Sequence, residues 1–284
     1  MKINQVQPPA AIPGGEFTIR GANLGGSVRP EVFFGESRGA VIVGSDDLVI
    51  ARVPEAASVG ELILKHSGES TEAWHCDIGI QITDSVHPVT SPVADSLGNI
   101  YTTFSGSRGQ KTPVSIYKID LNYSCSTFAV DIMNASGLAF GPNGALYASS
   151  RNDGLVYSIS AAGNPTQFME GMGIATGIAF DRAGFLYVGD RSGTIFKLSR
   201  EGEVFVFTTL EPSVSAYHLA FGPDGYLYIT GPTTSSFDAV QRVSPAGEVS
   251  VFYRGLGRPQ GLNFDANGNL YVAASFAGKR GVVR

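Results

Sequence analysis

The stretch SGLAFGPNGALYASS at residues 136–150 decides the fold, because the chain repeats it. Close copies are TGIAFDRAGFLYVGD at 176–190, YHLAFGPDGYLYITG at 217–231 and QGLNFDANGNLYVAA at 260–274, and a weaker copy is TSPVADSLGNIYTTF at 90–104. The tyrosines that the copies share are 40 to 46 residues apart: Tyr101, Tyr147, Tyr187, Tyr228 and Tyr271. A repeat of this length, built from short strands, is typical of β-propeller blades.

Each copy has the pattern of two strands joined by a tight turn. In the second copy, an apolar strand from Leu138 to Phe140 is followed by the turn GPNG and a strand from Leu146 to Ala148. Two more strands around another glycine turn follow each copy, as in GTIFKLSREGEVFVFT at 193–208. Four antiparallel strands make one blade, and a blade buries its faces only against its neighbours. We therefore expect Tyr147, Tyr187 and Tyr228 to pack between blades.

The fifth copy is followed by GKRGVVR at 278–284, which we predict to be a third strand. A propeller normally closes its ring so that no sheet edge stays exposed. The sequence therefore favours a six-bladed parent that is truncated in its fifth blade. The alternative is that the N-terminal part of the chain supplies the missing strands.

Residues 1–80 lack the blade pattern and form a first module. Seven short strands are predicted there: Lys2 to Val6, Glu16 to Arg20, Glu31 to Phe34, Val41 to Val43, Leu48 to Val53, Glu61 to His66 and Glu72 to Cys76. That number of strands in so short a segment indicates a small β-sandwich. The segments INQVQPPAAIPGGEFTIRGANL, VFFG and SDDLVIARVP resemble the IPT/TIG family of immunoglobulin-like domains. The resemblance implies a spacer or interaction module.

Composition excludes several classes of partner. The chain has 284 residues, of which 43% are hydrophobic and 16% charged, as in a packed globular protein. Its formal net charge of −5 provides no positive field to gather a polyanion, so no nucleic-acid partner is predicted. No segment approaches the ~20 apolar residues of a membrane span, and the N-terminus lacks the apolar core of a signal peptide. We therefore expect no membrane partner, a cytoplasmic location by default, and free thiols at Cys76 and Cys125.

Strand direction sorts the loops of a propeller onto two faces. The tight glycine turns share one face, and the longer loops lie on the other, where the innermost strands begin. These strands begin at Thr90, Ser136, Thr176, Tyr217 and Gln260, which we expect to surround the central channel. Because function on rigid β scaffolds usually lies on such loops, we predict a ligand site at this channel mouth. Ser136, Thr176 and Gln260 are candidate ligand-binding residues there.

The fourth copy departs from the repeat at the mouth. It carries His218 where the other full copies have Gly137, Gly177 and Gly261, and Tyr217 precedes it. Histidine has the unperturbed pKa nearest to neutrality, and a tyrosine can donate or accept a hydrogen bond. We therefore predict His218 and Tyr217 as candidate catalytic residues. The alternative is that His218 is a satisfied packing residue.

Charged residues are also predicted on the mouth face. They are Arg108, Lys111, Arg151, Asp190, Arg191, Asp238, Arg258 and Lys279. Several cations around a channel would suit a carboxylate or another small anion. We predict that Arg108, Arg151, Asp190, Arg191 and Arg258 contribute to ligand binding, and the alternative is that all are solvated loop charges.

The blade copies resemble NHL-repeat propellers and the senescence-marker-protein/gluconolactonase family across residues 85–284. The second resemblance implies a divalent cation held by Glu, Asn and Asp at the starts of inner strands, and hydrolysis of sugar lactones. The matching positions here carry no carboxylate, and such sites hold a hard cation weakly. No cofactor is therefore predicted, with Ca²⁺ or Zn²⁺ at the mouth as the alternative.

Two functions remain open at this point. The first is a binding propeller that recognises a small polar or anionic ligand, or a protein loop, at the channel mouth, with the sandwich as a spacer. The alternative is a metal-dependent hydrolase or lyase of the gluconolactonase-like class. In it, His218 would act as acid or base, and Tyr217 or an arginine would stabilise charge.

Overall fold

A computed structural model describes residues 1–26, 28–57, 60–83, 91–104, 106–107, 109–235, 238–276 and 278–284. Within these ranges all regular structure is β. The chain forms two compact units, Met1–Asp84 and Ser85–Arg284. No helix in the described ranges is long and apolar enough to cross a membrane.

The first unit is an antiparallel β-sandwich. Its strands are β1 (Lys2–Gln7), β2 (Ala10–Ala11), β3 (Glu16–Ala22), β4 (Glu31–Phe34), β5 (Ser37–Gly44), β6 (Leu48–Arg52), β7 (Glu61–His66), β8 (Glu69–Ser70), β9 (Trp74–His75) and β10 (Asp77–Ile78). Hydrogen bonds order the main sheet as β1-β3-β6-β5-β4-β7-β8, with β9 also on β7 and a separate parallel pair of β10 with β2. Strands β4 and β7 have the predicted bounds, whereas the strand predicted from Glu72 to Cys76 is shortened to β9.

Strand β5 makes the sandwich, because it belongs to both layers. Its first residues pair with β4 and its last residues pair with β6. The two layers enclose one apolar core, in which Phe17 of β3 stacks on Phe34 of β4 with ring centroids 5.8 Å apart. Burying the apolar faces of both layers against each other is the main source of stability for such a small unit.

The second unit is a β-propeller with five blades. Blade 1 contains β11 (Val93–Ala94), β12 (Ile100–Thr103), β13 (Ile116–Ile119) and β14 (Cys125–Ala129), and blade 2 contains β15 (Ala135–Phe140), β16 (Leu146–Ser150), β17 (Val156–Ile159) and β18 (Pro165–Met169). Blade 3 contains β19 (Ala175–Phe180), β20 (Leu186–Asp190), β21 (Thr194–Leu198) and β22 (Val204–Thr209), and blade 4 contains β23 (His218–Phe221), β24 (Leu227–Thr230), β25 (Ala239–Val243) and β26 (Val249–Arg254). Blade 5 contains β27 (Leu262–Phe264), β28 (Leu270–Phe276) and β29 (Lys279–Val283).

Every blade is an antiparallel meander in sequence order, as the repeat predicted. The last strand, β29, confirms the third strand expected from GKRGVVR. The six-bladed parent stays a prediction. Both cysteines are free, Cys76 in the core of the first unit and Cys125 at the start of β14.

In blades 1 to 4 the shared tyrosine holds neighbouring blades together. Tyr187 of blade 3 makes edge contacts with Phe207 on the outer strand of its own blade and with Phe221 on the inner strand of blade 4. Tyr101, Tyr147 and Tyr228 make the same pair of contacts in blades 1, 2 and 4. The prediction that Tyr147, Tyr187 and Tyr228 pack between blades is therefore confirmed, and Tyr101 makes the same contacts.

The tight turns follow the chemistry predicted from the sequence. In blade 3, Asp181 Oδ1 accepts a hydrogen bond from Phe185 N at 2.9 Å, and Gly184 adopts a φ of 88° that closes the turn. Asp181 Oδ2 also lies 3.3 Å from the hydroxyl of Tyr187. Each turn thus fixes the tyrosine that joins its blade to the next one.

Candidate functional site

At the mouth, hydroxyl groups join blades 1, 2 and 4 to the blade that follows each of them. Near the end of the second strand, Thr103, Ser149 and Thr230 donate to the backbone oxygens of Ser136, Thr176 and Gln260, which begin the next inner strands. The donors occupy equivalent positions of blades 1, 2 and 4. These bonds fix the start of each of these inner strands relative to the preceding blade, and so they position the loops at the channel mouth.

Ser136, Thr176 and Gln260 differ in their exposure. Ser136 and Thr176 are buried, and the Thr176 hydroxyl both donates to Gly189 O and accepts from Tyr217 N. Gln260 is exposed, and its backbone pairs with β28. Thr176 therefore has a structural task already, whereas the side chain of Gln260 is open to solvent. The ligand-binding roles of all three stay predictions.

Tyr217 fills a gap that two glycines leave. Blade 3 has Gly189 where blades 2 and 4 have the hydroxyl donor, and blade 4 has Gly231 after its second strand. A side chain at Gly189 would stand 3.0 Å from Tyr217 Cβ, and one at Gly231 would stand 3.0 Å from its ring. The phenol is buried and its hydroxyl donates to Glu211 O. Burial raises the pKa of Tyr217 to about 12, which keeps the hydroxyl protonated.

His218 is the first residue of β23, and its Nδ1 lies 3.3 Å from the hydroxyl oxygen of Ser91 in blade 1. Sequence comparison singled out His218 but missed Ser91. The weak first copy contains the signal, because TSPVADS places Ser91 at the position of Gly137 and Gly177. Burial lowers the pKa of His218 to about 4, so the ring is neutral at neutral pH.

This burial makes stability depend on pH. In the unfolded chain His218 takes up a proton below pH ~6.5, while in the folded protein it does so only near pH 4, so acid favours unfolding between these values. Relative to His218→Gly, the native protein should lose roughly 2–3 kcal/mol of unfolding free energy between pH 6.5 and pH 4. Urea titrations of both proteins across this range measure the difference. Parallel pH profiles would show that burial does not shift this histidine.

Arg151 and Arg191 occupy equivalent positions of consecutive blades. Each is the first residue after the second strand, and their backbone amides donate to Asn134 O and Ile174 O in the preceding loops. Arg191 Nε also donates to Ser213 O at 3.2 Å. Burial and the positive charge of Arg191 lower the pKa of Arg151. The fold therefore holds two partly buried cations within electrostatic reach of each other at the mouth.

Asp190 serves the backbone of the same region. Its carboxylate accepts from Ile174 N at 2.8 Å and from the Ser192 hydroxyl, and the side chain is 7% exposed. A Cβ on Gly173 would lie 3.0 Å from this carboxylate. Asp190 thus fixes the loop that leads into β19, and its role in ligand binding stays a prediction.

The remaining charged residues of the mouth face are more dispersed. Arg258 is exposed with a φ of 48°, Lys111 forms a solvent-exposed ion pair with Asp131 at 2.7 Å, and Asp238 accepts from Thr233 N at 3.4 Å. Thr90, Arg108 and the side chain of Lys279 lie outside the described parts of the structure. Among the predicted cations of the mouth, Arg151 and Arg191 are therefore the two whose positions and mutual influence the structure describes.

The donor groups that the structure describes at the mouth do not fit a divalent cation. Across the described residues, no three His, Cys, Asp or Glu side chains come together as a metal site. The Thr176 hydroxyl and the Tyr217 hydroxyl are both engaged by the backbone. Ca²⁺ takes six to eight oxygen ligands and favours carboxylates, and Zn²⁺ requires about four strong ligands. Ca²⁺ or Zn²⁺ at the mouth stays an untested alternative.

A second concave region lies on the opposite face. It is a groove of about 400 Å³ at the tight turns of blades 2 and 3, lined by Pro142, Phe168, Phe180 and Arg200 among others. Its walls include the tyrosine contact between these blades, at Tyr147. The groove belongs to the packing of the ring and holds none of the predicted site residues.

Comparison with known proteins agrees with the two-unit fold. The sequence profile described as IPT/TIG domain matches residues 1–74. The N-terminal unit is an IPT/TIG domain. No curated protein sequence matches the chain significantly.

Solved structures similar to this chain are β-propeller proteins. An auxiliary nutrient-binding protein from Bacteroides thetaiotaomicron has a TM-score of 0.56 and 13% identity, covering 99% of this chain and 97% of its own. A virginiamycin B lyase from Staphylococcus aureus, solved as an inactive variant with quinupristin, has a TM-score of 0.55 and 14% identity, covering 95% and 85%. A gluconolactonase-like protein has a TM-score of 0.57 and 16% identity, covering 72% and 77%. At these identities the similarity establishes the fold alone.

Proposed function

We propose that the propeller is a binding module for a small oxyanion, a carboxylate or a phosphate, and that the IPT/TIG domain is its spacer. The observation that carries this proposal is the Arg151–Arg191 pair. Both side chains are partly buried at equivalent positions of neighbouring blades, and the positive charge of Arg191 lowers the pKa of Arg151, so an anion bound near them would be stabilised by both charges. A guanidinium presents several donors that match the oxygens of a carboxylate or phosphate.

Two of the similar structures are described with a binding function or a bound ligand, which is compatible with this proposal. One of them is described as a nutrient-binding protein and another was solved with quinupristin. Both share the fold of this chain. Because fold similarity does not transfer a ligand, the chemistry of the two arginines decides the class of ligand here.

Loss of either arginine should weaken anion binding. Inorganic phosphate and citrate serve as probes, and isothermal titration calorimetry measures their affinity for the full chain. Because a hydrogen bond to a charged group contributes ~1.5–3 kcal/mol, Arg151→Gln and Arg191→Gln should each weaken binding at least about tenfold. Arg182→Gln is the matched control, since Arg182 is exposed on a tight turn of the opposite face.

Two results would contradict the proposal. One is that the native chain binds neither phosphate nor citrate at low ionic strength. The other is that Arg182→Gln weakens binding as much as Arg151→Gln does, because the effect would then report net charge alone.

A hydrolase or lyase remains the second candidate, and one observation favours it. His218 is a neutral imidazole within hydrogen-bonding distance of a serine hydroxyl, which is suitable for proton transfer at the mouth. The lyase among the similar structures is described as inactive after a histidine was replaced by alanine. Turnover of a lactone or a cyclic depsipeptide by the native chain, lost in His218→Gly, would establish this function.

A further inference from the structure

Ser91 and His218 stand at the same position of two different blades. The pairs Val93 with Tyr101 and Ala139 with Tyr147 align blade 1 with blade 2, and place Ser91 level with Gly137. The residues at this position in blades 1 to 5 are Ser91, Gly137, Gly177, His218 and Gly261. Only two of them have a side chain, and those two side chains meet.

The contact between them crosses the centre of the propeller. Blades 1 and 4 are separated along the ring by blades 2 and 3, so a bond between their inner strands must span the channel. The Ser91 hydroxyl oxygen and His218 Nδ1 are 3.3 Å apart. Ser91 also has a φ of 48°, a left-handed conformation that glycine adopts more readily than serine. The backbone conformation therefore does not explain why this position carries serine and not glycine.

The hydrogen bonding of a neutral imidazole explains the serine. One ring nitrogen carries the proton and donates, while the other accepts. If the Ser91 hydroxyl donates to Nδ1, the proton must be on Nε2. Within the part of the chain that the structure describes, Nε2 has no recorded hydrogen-bond partner.

We propose that Ser91 is a positioning residue: its hydroxyl donates to His218 Nδ1 across the channel and fixes the imidazole so that Nε2–H donates to an oxygen of the bound ligand. The ligand in this proposal rests on the proposed function, whereas the Ser91–His218 pairing does not. The imidazole then adds a neutral, directional donor to the charge of the two arginines. Such a donor selects for the shape of the oxyanion rather than for its charge.

The tautomer of His218 is a direct test of the pairing. The chain has four histidines, and the ¹⁵N-histidine signals that disappear in His218→Gly assign the ring. In the native protein Nε2 should be protonated and Nδ1 should be unprotonated. In Ser91→Gly, a change that the backbone at φ 48° favours, the ring should lose this single tautomer and give averaged ¹⁵N shifts. A native ring protonated on Nδ1, or one unchanged in Ser91→Gly, would overturn the proposal.

Affinity for inorganic phosphate and citrate tests the link to the ligand. Ser91→Gly should weaken binding by about threefold to tenfold, as expected for one neutral hydrogen bond. The double variant with His218→Gly should bind no more weakly than His218→Gly alone, because Ser91 acts only through the ring. Ser126→Gly, at an exposed position of β14, is the matched control. Additive losses in the double variant would overturn the proposal.

The two experiments separate the two proposals. If the native chain binds neither probe, the proposed function fails, and the ¹⁵N spectra still decide whether Ser91 fixes the tautomer. If the probes bind through the arginines but Ser91→Gly changes neither the affinity nor the tautomer, the positioning role fails alone.

Discussion

Tyr187→Ala should destabilise the propeller by about 3–5 kcal/mol, the usual loss for a large buried aromatic residue. The ring is 4% exposed and makes edge contacts with Phe207 and Phe221 at centroid distances of 5.0 and 4.9 Å. Removing it leaves a cavity between blades 3 and 4 and deletes two aromatic pairs, each worth ~0.5–1.5 kcal/mol beyond its buried area. Urea denaturation measures the loss.

The chain provides its own probes and controls for this measurement. All 11 tyrosines follow residue 100, and the one tryptophan is Trp74 of the IPT/TIG domain. Near-ultraviolet circular dichroism of the tyrosines therefore follows the propeller, while fluorescence of Trp74 follows the first unit. Tyr271→Ala is the matched control, because Tyr271 is only partly buried and, in the described part of blade 5, stacks on no phenylalanine.

The expected order is a large loss for Tyr187→Ala and at most about 1–2 kcal/mol for Tyr271→Ala. Tyr187→Phe should cost only about 1 kcal/mol, since it removes one hydroxyl contact with Asp181 and keeps the ring. Equal losses for Tyr187→Ala and Tyr271→Ala would contradict the assignment of the tyrosine to the contact between blades.

The tyrosine contacts show why so much of the fold could be predicted from the sequence. Each blade is encoded within about 40 residues by local strand and turn patterns, and its neighbour is encoded by the next copy. A residue that recurs at the same position of the copies, such as Tyr147 and Tyr187, meets the same aromatic surroundings in blades 1 to 4. Periodicity alone therefore located the contact between blades.

The candidate site was less predictable because it depends on the residues that break the repeat. The role of Tyr217 depends on two glycines in different blades, Gly189 and Gly231, which leave room for its side chain. These glycines are found only when the second strands of the blades are aligned with one another, in addition to the first strands. Ser91 lies in the weakest copy, and its partner His218 is 127 residues away. No local pattern predicts a contact across the channel, since it results from the arrangement of the blades around the channel.

The two arginines lie between these extremes. Strand counting placed Arg151 and Arg191 on the mouth face, because both follow the second strand of a blade. Their mutual influence requires the distance between adjacent blades, which only the packing of β15 against β19 provides. The sequence thus predicts which two arginines lie on the mouth face, and the structure shows that the charge of one influences the other.

Gly177→Ala should strongly destabilise the propeller, with an expected loss of about 3 kcal/mol of unfolding free energy. A Cβ at this position would overlap the backbone oxygen of Tyr217 and stand 3.0 Å from the Cα of His218. Both atoms belong to the backbone of the next inner strand, so no side chain can rotate away to make room. The inner strand of blade 4 must shift as a whole.

Gly261→Ala tests whether this cost comes from the neighbouring strand or from glycine itself. Gly261 occupies the same position in blade 5, and an added Cβ there meets nothing within 4 Å. Substitution at Gly261 should therefore change stability by less than about 0.5 kcal/mol. Because the shift forced by Gly177→Ala moves the Cα of His218, it should also release the single tautomer of that ring, which Gly261→Ala leaves in place. Equal stability of the two alanine variants in urea would mean that the inner strands of blades 3 and 4, β19 and β23, are not in close contact. The position of His218 would then not depend on its contact with β19.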